Sequence, residues 1–533
     1  MKSRLTFLLF LLVSIGLHGQ TIEVQGPQTG VWDADTVLVV SDIEVVDSLM
    51  VAPGTVVLFD GYYGVTIPTG ASFIAQGTES DSIRFTVADT TGLFIYNFGK
   101  GGWNGFQMEK AGKVRFDYCV LEYAKASDTT DMSGGAMQIN SCNDVEISHS
   151  TLHFNRAREH GGAVSAENSR VVMTDCNVND NLVFTDDNIY SRYGGALRFL
   201  KCDVELRVME FLRNDGEGCI GGAIGLDSCS LVLDRAVFAN NVGINGGGLY
   251  LVRSNHLEGR LSNLLFNHNH SRHFGGGMAI CDASPEVYNI LVTNNDSEGV
   301  TCTGIFFYQY SSPKFTNCII YGNYPETNTF LPDSVIIHTD TVQMWVWTFE
   351  GCAPEFRNCL IEGGTKYITN SDYIKVFEDI VETDPLFVDA ENDDFRLGEE
   401  SPCRDAGSTE VPDELAEGLD LIGIRRVSNQ RIDIGPYEYS AASVPSLLAN
   451  PVRARLVGNP LSAKSRIEFD DVMEGSVEVT VYSLTGRKVV SQVYAIEKTD
   501  SLVIGSMVER LASGVYLIEV TDKEGSFALK AVK

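Results

Sequence analysis

Few side chains in this 533-residue sequence stand where they could do chemistry together. Arg198, Glu205 and Arg207 come nearest, in one short stretch with apolar residues between them. A carboxylate set among guanidinium groups suits acid–base work on a charged substrate. Solvated surface charge accounts for the same residues without any chemistry. Asp389, Asp393 and Asp394 lie in an acidic run that suits a hard cation, so calcium is the one cofactor the pattern admits, though the spacing fits no EF-hand. His268, His270 and His273 are the densest histidine group. Imidazoles bind metal when a carboxylate or thiolate stands beside them, but Asn267-His268-Asn269-His270 reads as a polar turn. No Cys-x-x-Cys pair is present, so zinc-ribbon and redox motifs are absent. Tyr250 and Phe307 are the aromatic candidates for stacking on a sugar ring.

What must position these residues is a repeat. Glycine pairs recur at 134–135, 161–162, 194–195, 221–222, 246–247 and 275–276, at steps of 27, 33, 27, 25 and 29. Each pair opens an alternating segment, such as Gly134-Gly135-Ala136-Met137-Gln138-Ile139, whose fourth and sixth residues are mostly large and apolar. Alternation of period two is a strand with one buried face, and a fixed period in the high twenties is a solenoid. Two further short strands fit in each repeat. An asparagine falls in phase near each third strand, at Asn155, Asn181, Asn214, Asn241, Asn267, Asn295 and Asn323. Asn tolerates left-handed backbone angles, and stacked coils could join these residues in a hydrogen-bonded ladder. Three strands and three turns per repeat describe a parallel β-helix. The long step of 33 holds an insertion around 185–191, with Asp186 and Asp187 in it, expected to project as a loop.

The same phase sorts the cysteines and aromatics. Cys142, Cys202 and Cys229 share one position with Ser169 and Ser254; Cys119, Cys176, Cys318 and Cys359 share another. Small side chains stacked in the coil interior explain this, and disulfides between coils are the alternative, because neighbouring strands lie within disulfide reach. Aligning Ser312-Pro313 and Ala353-Pro354 on Ser284-Pro285 levels Phe306 and Trp347 with buried Met278, and Tyr308 and Phe349 with buried Ile280. Tyr250 and Phe307 are left facing outward.

These repeats resemble the right-handed parallel β-helix proteins of the pectate-lyase-like superfamily. The flanks add to the likeness: Trp103-Asn104-Gly105-Phe106 resembles the segment that opens such repeats, and Asp433-Ile434-Gly435-Pro436-Tyr437-Glu438 one that closes them. The resemblance spans about residues 21–440 and implies a fold more than an activity. Enzymes of this superfamily act on polysaccharides, by proton abstraction beside a uronate or by hydrolysis with clustered carboxylates. The repeats here hold no Asn-Thr-Asp or Asp-Asp pair of the hydrolase type at a strand end.

The two ends differ from the middle. Lys2 and Arg4 precede an apolar run from Leu5 to Leu17, which reads as a signal peptide and is short for a membrane anchor. Toward the C-terminus, Asn459-Pro460, Gly486-Arg487 and Gly514-Val515-Tyr516 recur in order among short strands. They resemble the C-terminal sorting domain of type IX secretion substrates, in Bacteroidetes-type Gram-negative bacteria. That implies the type IX machinery as partner and a mature protein secreted or held at the outer-membrane surface.

The chain's net charge of −31 sits on the middle, since the first 19 residues are positive and residues 450–533 balance 11 basic against 11 acidic side chains. An acidic body argues against nucleic acid and anionic membranes. It would also repel polyuronates unless cations bridge them. The expected organisation is all-β: signal peptide 1–19, N-terminal cap and first coils 20–130, repeats 131–365, terminal coil and cap 366–445, and a small Ig-like β-sandwich for sorting at 446–533. The expected function is non-catalytic binding of extracellular polysaccharide or another surface, with a polysaccharide lyase or hydrolase as the alternative.

Overall fold

The computed structural model describes residues 20–93, 101–127, 132–184, 192–216, 218–254, 259–298, 302–324, 343–346, 351–426, 431–439, 454–457, 461–462, 464–483, 488–508, 511, 515–522 and 525–532. The expected signal peptide at 1–19 therefore lies outside the described residues, as do the 185–191 insertion, Trp347 and Phe349. From Thr21 onward the chain winds as a parallel β-helix. The first sheet stacks Phe106–Glu109, Met137–Asn140, Val164–Glu167, Leu197–Leu200, Ile224–Asp227, Leu249–Val252, Met278–Cys281, Ile305–Tyr308 and Met344–Val346 in parallel. Inward residues keep one column from coil to coil: Met137 lies beside Val164, then Leu197, Ile224, Leu249, Met278 and Ile305. Second and third sheets stack likewise, and in the middle coils they run on as single bent strands such as Asp203–Leu212.

The bends are single residues in the left-handed region. Between first and second sheets they include Ser141, Asn168, Lys201, Ser228, Arg253 and Asp282, with φ from 46° to 57°. Between second and third sheets they include His149, Asp175, Val208, Arg235, Asn263, Asn289 and Asn317, and after the third sheet Phe154, Asp180, Arg213, Asn240, His268 and Asn294. Left-handed backbone costs an L-residue about 1–2 kcal/mol, so the stack, not local preference, holds these angles. The glycine pairs serve where two coils nearly touch. A Cβ on Gly135 would sit 2.2 Å from the carbonyl oxygen of Gly162 on the next coil.

The residue after each third bend forms a buried amide ladder. It runs Asn155, Asn181, Asn214, Asn241, Asn269, Asn295 and Asn323 and ends on Gln343, with Nδ2 of each Asn donating to the next side-chain oxygen at 2.7–3.1 Å. The backbone N–H of each also donates to that same oxygen. The second Nδ2 proton goes to a carbonyl on the preceding coil, as from Asn214 to Val178. Two donors and two lone pairs are thus all used. The expected rung Asn267 is corrected to Asn269. The bend residue is His268, and either asparagine fits a period of 26–28 residues. The cysteine columns are of the same kind: Cys119, Cys142 and Cys229 donate their backbone N–H to Ser150, Ser169 and Ser254 Oγ. All 12 cysteines are buried thiols.

The 366–445 region does not simply close the end of the coil. After Val376–Glu378, the last strand of the second sheet, the chain doubles back over the third sheet. Phe395, Leu397, Cys403, Leu421, Ile434 and Tyr437 cover the outward side of Leu212, Val237, Leu265, Leu291, Ile319 and Leu360. Left-handed asparagines dock it. Asn263 accepts from Arg426, Asn289 donates to the carbonyls of Asp433 and Gly435, and Asn317 pairs twice with the Ser408 backbone. Arg426 and Glu438, each 1% exposed, form an ion pair at 2.9 Å. Burial pushes the Glu438 carboxyl up to about 8, while the Arg426 guanidinium pulls it down.

The C-terminal body is a five-stranded antiparallel sheet of Ala454–Val457, Arg466–Ser483, Lys488–Val503, Val515–Asp522 and Gly525–Val532, with its own core around Ile467, Val479, Val481, Ile518 and Val520. Its two long strands, Arg466–Ser483 and Lys488–Val503, change register between Glu468 and Gly475. Among the described residues, no helix is long and apolar enough to cross a membrane.

The ladder gives a direct test. Asn269→Ala strands two donors on Asn241 in a dry interior and should cost at least about 3 kcal/mol. Asn267→Ala loses one bond accepted from Asn294 and should cost about 1 kcal/mol. Denaturant unfolding of the two variants measures this, and equal costs would show that the ladder runs elsewhere.

Candidate ligand-binding face

Strand pleating puts every second residue of the first sheet outside. The outward column reads Gln138, Ser165, Arg198, Gly225, Tyr250, Ala279, Phe306 and Trp345, each in register with the next. Beside it runs a second outward column of Asn140, Glu167, Leu200, Asp227, Val252, Cys281 and Tyr308. The face therefore changes character along its length, polar and charged at Arg198 and aromatic beyond Tyr250.

The aromatic end is a packed cluster. Phe274 stacks on Phe306 at 4.7 Å between ring centroids, and Trp345 meets both edge-on at 5.4 and 5.9 Å. Tyr308 stacks on Phe306 at 5.9 Å, and Tyr193 lies 6.2 Å from Tyr250. Tyr250 and Phe306 are 9% and 6% exposed, while Tyr193, Phe274, Tyr308 and Trp345 stay half-buried. Burial pushes the Tyr250 hydroxyl well above its ordinary range, so it stays protonated.

Tyr250 thus stands on the outward face, as its phase requires, but Phe307 does not. Phe307 is fully buried and packs against Phe315 and Phe356, while Phe306 faces out. The cause is one residue in a bend. Asp282 turns its coil alone, whereas Gln309 and Tyr310 both take left-handed angles in the next. Aligning on the Ser-Pro pairs therefore slips the strand by one, and a slip of one exchanges its faces. Tyr308 belongs to the outward cluster for the same reason, and Trp345 joins it in register with Phe306.

The charged end gathers around a histidine. Tyr193 donates its backbone N–H to His160 Nδ1 at 3.1 Å, so the neutral ring carries its proton on Nε2. Burial first, then the guanidinium groups of Arg198 and Arg192, hold His160 down to about 4. Arg198 reaches Ser165 Oγ at 3.4 Å and Glu167 at 3.7 Å. Arg253 grips Asp227 with two nitrogens, one of them at 2.7 Å. Gly225 makes room, since a Cβ there would lie 2.9 Å from Cβ of Tyr193. Arg192 and Tyr193 follow the 185–191 insertion, and His160 and Tyr193 precede glycine pairs. Their meeting above the sheet has no sequence signal beyond that common phase.

The other candidates are dispersed. Arg198 does not share a surface with Glu205 and Arg207, because the bend at Lys201 sends these two onto the second sheet. There Glu205 and Arg207 pair at 2.7 Å, with Arg170 and Asp234 each at 3.9 Å from one of them. Asp389 accepts from Asn392, Asp393 from His268 at 3.0 Å, and Asp394 from Arg396 at 2.8 Å. His270 pairs with Asp296 at 2.6 Å, which raises it above its ordinary value. Among the described residues, no group of three or more His, Cys, Asp or Glu side chains is placed to hold a metal ion.

In the C-terminal body, Val515 and Tyr516 open the strand Val515–Asp522, whereas Asn459, Pro460, Gly486, Arg487 and Gly514 lie outside the described residues. The family model for the secretion system C-terminal sorting domain matches residues 458–533. The chain is a type IX secreted β-helix protein. Its sorting domain addresses it to the secretion machinery and so to the exterior or the cell surface. No curated protein matches it. A polygalacturonase from Erwinia carotovora ssp. carotovora aligns over 64% of this chain and 87% of its own at 9% identity, with a TM-score of 0.29. The full-length tailspike protein 2 of Escherichia coli O157:H7 bacteriophage CAB120 aligns over 94% of this chain and 64% of its own at 9% identity, with a TM-score of 0.26. At that similarity neither bears on this chain's activity.

The charged end predicts an unusual titration. His160 should keep its neutral ring signals between pH 7 and 5 in a histidine-labelled NMR titration, and Arg198→Gln should move its midpoint upward. A midpoint near 6.5 in both proteins would contradict the placement of Arg198 beside it.

Proposed function

We propose that the exported β-helix is a non-catalytic glycan-binding protein of the Gram-negative cell surface or its surroundings. The ligand lies along the outward face of the first sheet. The observation that carries this reading is two ring groups on one outer face, Tyr193 with Tyr250 and Phe274 with Phe306, Tyr308 and Trp345, joined across Ala279 in one apolar cluster. Half-buried rings held by their neighbours give apolar faces for sugar C–H groups at little entropic cost. Arg198, Arg253 and the Nε2–H of His160 lie at one end to hydrogen-bond hydroxyl or carboxyl groups. Calcium is not needed in this reading, because Asp389, Asp393 and Asp394 are engaged with Asn392, His268 and Arg396.

A second reading is catalysis on a polysaccharide at the charged end. It is favoured by a neutral His160 standing beside Tyr193 and Arg198.

A glycan screen of the purified passenger, run beside a degradation assay, tests both. Binding should survive EDTA and leave the glycan intact. Tyr308→Ala and Trp345→Ala should each weaken it about tenfold, a loss of about 1.4 kcal/mol. Binding that ignores both rings overturns the assigned face. Cleavage that is lost in His160→Ala would establish the second reading in place of the first.

A further inference from the structure

We infer that Cys202–Cys229 and Cys318–Cys359 are modification sites, two disulfide cross-links that staple neighbouring coils of the exported solenoid. The inference rests on columns in which cysteine and serine alternate. At most steps a cysteine meets something that cannot cross-link. Cys119 lies on Ser150, Cys142 on Ser169 and Cys229 on Ser254 on its far side, while Cys176 is in register with Met209. Two steps place cysteine directly on cysteine. The backbone N–H of Cys202 points at Cys229 Sγ at 3.4 Å, and that of Cys318 at Cys359 Sγ at the same distance.

Register confirms that each pair is level. Asp203, next to Cys202, pairs with Ser230, next to Cys229; Ile319, next to Cys318, pairs with Leu360, next to Cys359. Adjacent strands lie about 4.8 Å apart, inside the Cα separation a disulfide spans. In each pair the second residue's Sγ sits within hydrogen-bond reach of the first residue's backbone N–H, so that sulfur stands on the side facing the neighbouring coil.

The compartment supplies the drive. A type IX substrate leaves the reducing cytosol for an oxidising one. Each cross-link joins two thiols by one S–S bond. The two protons and two electrons pass to a disulfide oxidant, protein or small molecule, which becomes two thiols. All four residues are at most 4% exposed, so exchange takes place while the coils are still closing. The links would close stretches of 27 and 41 residues that already lie side by side. They add nothing to the shape and make it harder to unzip.

The test uses the full chain recovered from secreting cells, unfolded in alkylating reagent without reductant, digested and read by mass spectrometry. The expected result is two cross-linked peptides, Cys202 with Cys229 and Cys318 with Cys359, which separate on reduction. Recovery of these four cysteines as alkylated single thiols, or in links to other cysteines, overturns the proposal. Cys229→Ser puts in the residue that the same column already uses at Ser169 and Ser254, so the coil should still form. In that variant Cys202 should become alkylatable while the Cys318–Cys359 link persists. The melting temperature should fall by about 5 °C. An unchanged alkylation pattern would count against the assignment.

Discussion

One column of buried amides sets the geometry on which the rest of this molecule depends. Each asparagine from Asn181 to Asn323 has all four of its hydrogen-bonding positions filled by the coil above or below. That arrangement tolerates no slip, because a shifted coil would bury unpaired amides at roughly 1–3 kcal/mol each. Fixing one position per coil fixes the others. The bend before each asparagine takes a left-handed angle, the next strand starts in register, and the glycine pairs meet where no side chain fits. Regularity is then a consequence of satisfied polar groups as much as of the apolar filling.

A stack this regular would present equal faces, and the differences between them are where the protein acquires function. The third sheet is closed from Leu212 to Leu360 by the returning segment, clamped by the buried pair of Arg426 and Glu438. Removing Glu438 would leave the Arg426 guanidinium without its carboxylate partner in a dry interior. The second sheet carries paired surface charges such as Glu205 with Arg207. The first sheet carries an aromatic cluster toward one end and arginines with a neutral histidine toward the other. Against a net charge of −31, Arg192, Arg198 and Arg253 make a local exception on that face.

Much of the architecture was legible in the sequence, because a solenoid repeats its instructions. Glycine pairs, inward apolar residues and stacked cysteines all showed the period. What failed were single-residue distinctions inside a period. Asn267 and Asn269 fit the spacing equally, and only the bend at His268 separates them. One extra residue at Gln309-Tyr310 exchanged the faces of Phe306 and Phe307. The return of the terminal coil and cap region over the third sheet carries no sequence signal, because its contacts, such as Arg426 to Asn263, join residues far apart in the chain. The grouping of His160, Tyr193 and Arg198 was illegible for a related reason. It joins the turn before one glycine pair to the strand after another.

The central claim is that ligand meets the protein on the first sheet and nowhere else along the solenoid. Hydroxyl-radical footprinting with and without a bound oligosaccharide tests it most directly, since aromatic side chains report their own exposure. The account predicts protection at Tyr193, Tyr308 and Trp345, with no change at Tyr118 or His149 on the opposite side of the coil. Protection of Tyr118 and His149 with an unaltered first face would contradict it.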